Sequence, residues 1–359
     1  MRYGYEGIEA KHSTLYNNSR SEESGKNRDK LPDYIKGILT ILMILSHIAN
    51  VCGGGNNSFS KYVNLTTFSG FMFCFGYVCY MAYMTKESVP IKRLLLGFIK
   101  TIIAYYISAF MYLLLVNKSF LNIEQYLLQI KLAPYSEFLI SWAYMYLVLT
   151  IGIPFLNRIL KKGYLVFFAV LFSLGMTFVP YDLLDIPWLG PLIGKSTGNY
   201  FPIIQYSSYF LVGAYACKKK IKNNWWIMCS CVFSLMIFLL YCYRIQDLPA
   251  RWQPHFVWII GGYFFIYVYY LICKQMSNKT KKDLKILSFI GENTLSFLVI
   301  SNFFVFLGKN LSVQKWEISF PLKLGVYYGI VLVACFGFTI LGKIIHGIRI
   351  SNSLYDSGE

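Results

Sequence analysis

The stretch DYIKGILTILMILSHIANVC (Asp33–Cys52) is apolar over the length of a membrane-spanning helix, yet it contains Lys36 and His47. The two residues are eleven positions apart, which in an α-helix corresponds to about three turns. Both side chains therefore fall on one face, roughly 16 Å apart along the axis. Ionisable side chains inside a membrane span are costly, so both are functional candidates. The alternative is that Lys36 reaches the lipid headgroups and His47 bonds a neighbouring helix.

The composition of the chain indicates a membrane protein. Of its 359 residues, 56% are hydrophobic and 14% are charged, whereas a soluble domain has about 25% charged residues. The net charge of +17 comes from short Lys and Arg clusters between apolar segments, as in membrane topology signals, and we expect no nucleic-acid partner. None of the nine cysteines falls in a CxxC pair, so we expect no metal site and no disulfide framework.

Ten apolar segments have roughly the length needed to cross a bilayer. We therefore predict an all-α, polytopic integral membrane protein with about ten transmembrane helices. The membrane domain is expected over residues 32–345, between a flexible tail (1–31) and a short C-terminal tail (346–359). The predicted spans are 33–53, 64–84, 94–116, 137–157, 163–180, 200–217, 224–243, 255–273, 286–307 and 321–345.

The distribution of basic residues predicts the orientation of these spans. With the N-terminus in the cytoplasm, 23 of the 34 Lys and Arg residues lie in inner segments and nine in outer ones. This bias follows the positive-inside rule and predicts that both termini are cytoplasmic. The two remaining basic residues, Lys36 and Lys100, lie within predicted spans, and His47 is the only histidine deep in one.

The few titratable groups within the spans suggest a chemistry. A histidine with a pKa near neutrality can take a proton from a hydroxyl group. Lysines in the inner half can bind an anionic phosphate that enters from the cytoplasm. Lys100, in the third span, is expected at a similar depth to Lys36, and the two could share an anionic site.

The opening stretch also resembles that of a known family, the membrane-bound acyltransferase-3 family, in which Arg or Lys is followed by ten residues and then His. Lys36 and His47 have this spacing. The similarity extends over about residues 32–345. Four further stretches resemble family spans in the same order: FSGFMFCFGYVCYMAY (Phe68–Tyr83), ISWAYMYLVLTIGIPFL (Ile140–Leu156), YSSYFLVGAYACKK (Tyr206–Lys219) and FIGENTLSFLVIS (Phe289–Ser301).

The resemblance implies transfer of an acyl group, usually acetyl, from cytoplasmic acyl-CoA to a sugar hydroxyl of a cell-envelope or exported polysaccharide. His47 would be the general base, and no metal would be needed. The CoA phosphates would contact four basic residues: Lys36, Lys92, Arg93 and Lys100. Acceptor-side candidates are Tyr77, Trp142, Ser301 and Asn302. The expected setting is the bacterial cytoplasmic membrane, with membrane lipids and a glycan or lipid-linked sugar as partners, and a homo-oligomer is compatible with the sequence.

Two positions depart from the family pattern. The Arg-x-x-Arg that often opens the third span is reduced to Lys100, with Lys92 and Arg93 just upstream. The histidine that often ends the ninth span is replaced by Ser301, followed by Asn302. Either residue can hydrogen-bond an acceptor, but neither is a base near pH 7.

Two other functional classes are compatible with a polytopic chain. A transporter or flippase would more often show broken helices and polar groups in two related halves, and no internal repeat is seen in the sequence. A glycan polymerase usually needs large outer loops, whereas the predicted outer linkers are short. The enzyme hypothesis is therefore preferred, with a transporter as the alternative.

Overall fold

The protein is described by a computed structural model, which covers residues 29–55, 57–86, 88–118, 134–180, 186, 189–194, 200–221, 224–279 and 284–356. These residues form helices and connecting turns, and no strand occurs among them. This confirms the predicted all-α class. Most of the predicted N-terminal tail lies outside the described residues. The helices are α1 (Leu31–Val51), α2 (Ser58–Cys79), α3 (Ile91–Tyr112), α4 (Glu137–Lys161), α5 (Gly163–Gly175), α6 (Ile203–Lys219), α7 (Trp225–Ile245), α8 (Phe256–Lys279), α9 (Lys285–Glu292), α10 (Thr294–Asn310) and α11 (Phe320–Asp356).

Each of the ten predicted apolar segments coincides with helix in the structure. Among the described residues, seven helices are long and apolar enough to cross a membrane, or eight if α9 and α10 count as one span. With 13 and 17 residues, α5 and α6 are shorter than a usual span. A multi-pass membrane fold is therefore supported, while the count of ten and the orientation of the termini remain predictions.

Local sequence explains where the first two helices begin. Pro32 lies in the first turn of α1, where its missing N–H costs nothing, and Asp33 places a negative charge near the positive end of the helix dipole. The N-cap of α2 is Asn57, whose side chain accepts a hydrogen bond from the Ser60 backbone N–H at 2.7 Å. We call the side of the bundle where α1 begins the Lys36 end, and the side where it finishes the His47 end.

Glycines allow the central helices to approach one another closely. A β-carbon at Gly76 of α2 would overlap the backbone oxygen of Phe210 in α6, and one at Gly213 of α6 would overlap that of Phe73 in α2. Gly291 of α9 faces the backbone of Asp33 in the same way. Small residues at helix contacts are a usual means of tight packing within membranes, and here they fix α6 and α9 against the helices that carry the candidate site.

We expect Gly76→Ala to destabilise the bundle. The added methyl group would push α2 and α6 apart, and overpacking of this kind costs about 1–3 kcal/mol. The midpoint of thermal unfolding of the purified protein in detergent should fall by several degrees. Gly325→Ala in α11 is the matched control because nothing lies within 4 Å of the added carbon, and it should leave the midpoint unchanged or raise it. Equal midpoints for the two variants would contradict the close α2–α6 contact.

The ninth predicted span, 286–307, is not one straight helix. α9 and α10 meet at Asn293 with an angle of 80° between them. The Asn293 side-chain amide donates to the Phe289 carbonyl at 2.6 Å, which satisfies one of the carbonyls at the end of α9. The bend keeps Gly291 against α1 and directs α10 towards the His47 end of the bundle.

Candidate functional site

α1 carries both opening candidates on one uninterrupted helix. The helix runs from Leu31 to Val51 without a break, so Lys36 and His47 keep the separation of about 16 Å and the shared face that their spacing dictates. Lys36 lies one to two turns from the start of α1, and His47 lies one turn before its end. A single ligand that contacts both side chains must therefore extend about 16 Å along the helix.

His47 borders a small cavity at its end of the bundle. The cavity has a volume of about 40 Å³, enough for one or two water-sized groups. Its polar lining comes from four separate parts of the chain: Ser46 and His47 of α1, Asn64 and Thr67 of α2, Tyr135 and Glu137 at the start of α4, and Arg251 between α7 and α8. A single hydroxyl group fits a space of this size, whereas a whole sugar does not.

The imidazole of His47 is held by packing. Its Nδ1 atom is buried and has no hydrogen-bond partner among the described residues. The ring lies 4.6 Å from the Tyr135 ring, centroid to centroid, at an angle of 59°. A buried nitrogen without a partner is costly, and a hydroxyl group that enters the cavity can supply the missing hydrogen bond. A positioned imidazole with an available nitrogen meets the geometric requirement for a general base.

Tyr135 is itself fixed by a buried polar cluster. The Asn302 side-chain amide of α10 donates to the Ser108 hydroxyl at 2.9 Å and to the Tyr135 carbonyl at 3.1 Å, and it lies 3.4 Å from the Ser136 hydroxyl. The two serine hydroxyls are 2.6 Å apart. We call Asn302, Ser108, Ser136 and the Tyr135 carbonyl the Asn302 cluster. It ties α3 and α10 to the turn that presents Tyr135 to His47.

Charged groups surround the cavity. The Arg251 guanidinium lies 4.3 Å from the Trp252 ring and 5.2 Å from the Phe201 ring. Burial lowers the pKa of Arg251, and the nearby Glu137 carboxylate opposes this shift. The Lys309 ammonium lies 4.6 Å from the Tyr135 ring, on which His47 also packs. Two cations thus stand close to the imidazole, where they can stabilise negative charge that develops on a reacting oxygen.

Lys36 has a carboxylate partner within the protein. Its ammonium lies 2.7 Å from Oδ1 of Asp33, and the side chains are 16% and 0% exposed, respectively. Burial of an anion is costly unless a cation accompanies it. Lys36 therefore neutralises Asp33, whatever else it binds.

Lys100 lines a different space, a groove between α3, α10 and α11. The groove has a volume of about 670 Å³, and Lys36 is not among its lining residues. Its polar groups are Lys100, Asn293, Ser296, Thr339 and Lys343. Lys100 and Asn293 lie nearest the Lys36 end of α3 and α10, and Lys343 lies at the corresponding end of α11. Apolar residues such as Ile107 and Ile300 continue the groove towards the Asn302 cluster. Lys92 and Arg93 are exposed in the first turn of α3.

Comparison with known proteins identifies the family of the chain. A family model described as an acyltransferase domain matches residues 30–340. The chain belongs to the acyltransferase-3 family. No curated protein and no solved structure matches it. Family membership confirms the resemblance noted in the sequence and identifies the protein as a multi-pass membrane acyltransferase.

The acceptor-side candidates lie at different distances from the His47 cavity of the acyltransferase. Trp142 packs against Phe71 and Phe138, which line the His47 cavity, so it lies one layer behind the cavity wall. Ser301 donates to the Leu298 carbonyl of its own helix at 3.0 Å. The Asn302 side-chain N–H donates within its cluster, while its Oδ1 is buried without a hydrogen-bond partner among the described residues.

Tyr77 lies far from the other candidates. Its hydroxyl donates to Oδ2 of Asp29 at 2.6 Å, just before α1 begins. From Leu31 to His47 the helix rises about 24 Å, so Tyr77 belongs to the Lys36 end. The structure therefore brings Asn302 and Trp142 near His47 and leaves Tyr77 at the opposite end.

Sequence reasoning missed three neighbours of His47 in the acyltransferase. Tyr135, Glu137 and Arg251 are not among the site residues that the sequence indicated. A signal was available for Glu137 and Arg251. They are opposite charges at the outer ends of spans, at the level that the predicted topology assigns to His47.

Proposed function

We propose that this acyltransferase transfers an acyl group, most simply acetyl, from cytoplasmic acyl-CoA to a sugar hydroxyl of a cell-envelope or exported polysaccharide. The proposed setting is the bacterial cytoplasmic membrane, with the Lys36 end facing the cytoplasm. The observation that carries the proposal is the buried His47 Nδ1, unpartnered among the described residues, beside a cavity that accommodates one hydroxyl group.

His47 acts as the base in the proposed reaction. Its imidazole takes the proton of the acceptor hydroxyl as the oxygen attacks the thioester carbonyl carbon. The C–O bond of the new ester forms, the C–S bond breaks, and the imidazolium returns the proton to the departing CoA thiolate. Arg251 and Lys309 stabilise the negative charge that develops on the carbonyl oxygen in this step.

The donor approaches from the Lys36 end. In the proposed arrangement its phosphates contact Lys100, with Lys92 and Arg93 near the mouth of the groove and Lys343 on the facing helix. The acyl-bearing arm then extends past Ile107 and Ile300 towards the Asn302 cluster. Cations at one end of the groove and an apolar floor suit a ligand with an anionic head and a long thin arm. Lys36 lies outside this groove at the same end of the bundle, and we propose it as a further cationic contact of the donor phosphates.

Transfer of label tests the proposal directly. Purified protein in lipid nanodiscs, supplied with radiolabelled acetyl-CoA and polysaccharide from which O-acetyl groups have been removed, should release free CoA thiol and label the polysaccharide. The label should be attached to the polysaccharide through an ester bond, and hydroxylamine should therefore release it. Absence of both CoA release and labelled polysaccharide would contradict the proposed function.

A test of Lys36 must separate donor binding from the neutralisation of Asp33. Lys36→Met alone removes this cation from beside the buried Asp33 carboxylate, and we expect a lower stability. Asp33→Asn/Lys36→Met removes both charges and should recover most of the thermal midpoint. If Lys36 contacts the donor, the KM for acetyl-CoA should be raised about tenfold in both variants, since a hydrogen bond to a charged group contributes about 1.5–3 kcal/mol.

The double variant decides the outcome of this test. A wild-type KM for acetyl-CoA in Asp33→Asn/Lys36→Met would show that Lys36 serves only to neutralise Asp33. A raised KM together with a normal thermal midpoint would assign Lys36 to donor binding.

A transporter for a lipid-linked glycan is the second candidate, and the 80° bend between α9 and α10 is the observation in its favour. Broken helices often form the substrate sites of transporters. Within the described ranges this is the one helix pair that together is long and apolar enough for a membrane span and is bent by more than 40° at a short break. A transporter would move glycan across the bilayer without consuming acetyl-CoA, so thiol release that depends on acceptor separates the two functions.

A further inference from the structure

A second cavity lies at the His47 end, on the opposite side of α2 from His47. Its volume is about 440 Å³, within the range of about 300–1,000 Å³ typical of small-molecule sites. Lys61, Tyr62 and Leu65 of α2 line this cavity, whereas Val63, Asn64 and Thr67 line the His47 cavity. At 100° per residue these two sets occupy opposite faces of the helix, so one helix thickness separates the two spaces.

The walls of this second cavity combine charges of both signs with aromatic rings. Lys61 and Asp247 both line it, yet they form no ion pair with each other in the described part of the chain. One carboxylate oxygen of Asp247 accepts from the Leu248 N–H at 2.7 Å, which leaves the other oxygen available. Tyr62 and Phe265 add an aromatic wall, with ring centroids 5.2 Å apart.

This combination suits a sugar better than a membrane lipid. Sugar hydroxyls both donate and accept hydrogen bonds, so a sugar can accept from the Lys61 ammonium and donate to the Asp247 carboxylate. The less polar face of a sugar ring can pack on the aromatic wall. An anionic lipid headgroup would favour cations alone, and the carboxylate would oppose it.

The second cavity also has a physical link to the His47 cavity. Trp258, in its wall, donates from its indole N–H to the Tyr206 hydroxyl at 3.1 Å. The Tyr206 ring packs edge-on against Phe68, 4.7 Å between centroids, and Phe68 lines the His47 cavity. Along the axis of α2, Lys61 and Thr67 are about 9 Å apart, and the helix is about 10 Å across, so a glycan that occupies both cavities must pass around the start of α2 over roughly 13 Å or more.

We propose that the cavity of Lys61 and Asp247 is a subsite for a sugar unit of the acceptor glycan, further along the same glycan chain from the unit whose hydroxyl faces His47. The inference rests on the proposed function and deepens it: the preferred acceptor is an oligosaccharide or polysaccharide rather than a single sugar. Binding of this further unit holds the reacting hydroxyl at the small His47 cavity.

The dependence of the reaction on acceptor length tests this subsite. The acceptors are fragments of the producing cell's own polysaccharide, stripped of O-acetyl groups and sorted by length from one unit upwards. With the full-length wild-type protein in nanodiscs and acetyl-CoA, the acceptor KM should fall about tenfold once the fragment reaches both cavities. Lys61→Ala and Asp247→Ala should each raise the KM of the longer fragments about tenfold, keep kcat within twofold and remove the preference for length.

Matched controls come from the same end of the protein. Lys315→Ala and Glu317→Ala remove exposed charges from the turn between α10 and α11, away from the second cavity, and should keep wild-type KM values at every length. If the wild type had the same acceptor KM for every fragment length, and Lys61→Ala did not change it, the proposed subsite would be contradicted. The proposed function would not be affected. If Lys61→Ala kept the wild-type acceptor KM but its activity varied with the anionic lipid content of the nanodisc, the cavity would be a lipid site and not a sugar subsite. Failure of the wild type to acetylate any fragment would overturn both proposals.

Discussion

Replacement of His47 by alanine is expected to lower the rate of acetyl transfer by at least about 100-fold. General base catalysis contributes about 10²–10⁴-fold to a rate, and among the described residues no other histidine, cysteine, aspartate or glutamate except Glu137 lines the His47 cavity. The loss should appear in kcat, while the KM for acetyl-CoA stays near its wild-type value. Initial rates of CoA thiol release in the presence of acceptor provide the measurement.

The His47→Ala result needs a control for folding. His255 lies at the same end of the bundle, just before α8, and does not line the His47 cavity. His255→Ala should therefore retain activity within about twofold, and both variants should match the wild type in abundance and thermal midpoint. If His47→Ala kept its activity, Glu137 would become the next candidate for the base, and Glu137→Gln would then be the decisive variant.

Asn302→Ala is expected to produce the second largest loss, although Asn302 does not line the His47 cavity. The change removes the amide that joins Ser108, Ser136 and the Tyr135 carbonyl, so the turn that carries Tyr135 loses its attachment to α10. His47 then loses the fixed ring on which it packs. Because a displacement of about 1 Å at a reacting group can cost about 100-fold, we expect kcat to fall by about 10–100-fold.

Ser301→Ala is the matched control for Asn302→Ala. The neighbouring serine is equally buried, but among the described residues its hydroxyl bonds only within α10, so its loss should change kcat by less than about twofold. Asn302→Ala should also lower stability, since it leaves buried polar groups unpaired at about 1–3 kcal/mol. A lower thermal midpoint with an unchanged kcat would show that the Asn302 cluster supports the fold and has no part in positioning His47.

Much of the fold could be predicted from hydropathy alone. Every predicted apolar segment coincides with helix because, within a bilayer, a backbone has few other ways to satisfy its hydrogen bonds. Even Pro154, inside α4, does not end that helix. The bend at Asn293 could not be predicted in this way. It depends on Gly291 meeting α1 and on a side-chain amide that satisfies the end of α9, and hydropathy carries neither contact.

The candidate site could be predicted in part. The spacing of Lys36 and His47 depends only on helix geometry, so the sequence was sufficient for their common face. The surroundings of His47 are a different matter, since Tyr135, Arg251 and Asn302 come from segments far apart in the chain. Their meeting is a result of tertiary packing. Asn302 was expected to bond an acceptor; its side-chain N–H bonds to protein groups on two neighbouring segments, and a contact of its Oδ1 with an acceptor stays a prediction.

The unbroken course of α1 has a consequence for the choice of donor. A continuous helix fixes the distance between Lys36 and His47, because the two residues cannot move closer together unless hydrogen-bonded turns unwind. If the donor is gripped beside Lys36, the chain between its anchoring phosphate and its thioester must measure about 16 Å. The thioester of a shorter carrier would not reach the imidazole. α1 would therefore select the donor by the length of its carrier, independently of any contact with the acyl group.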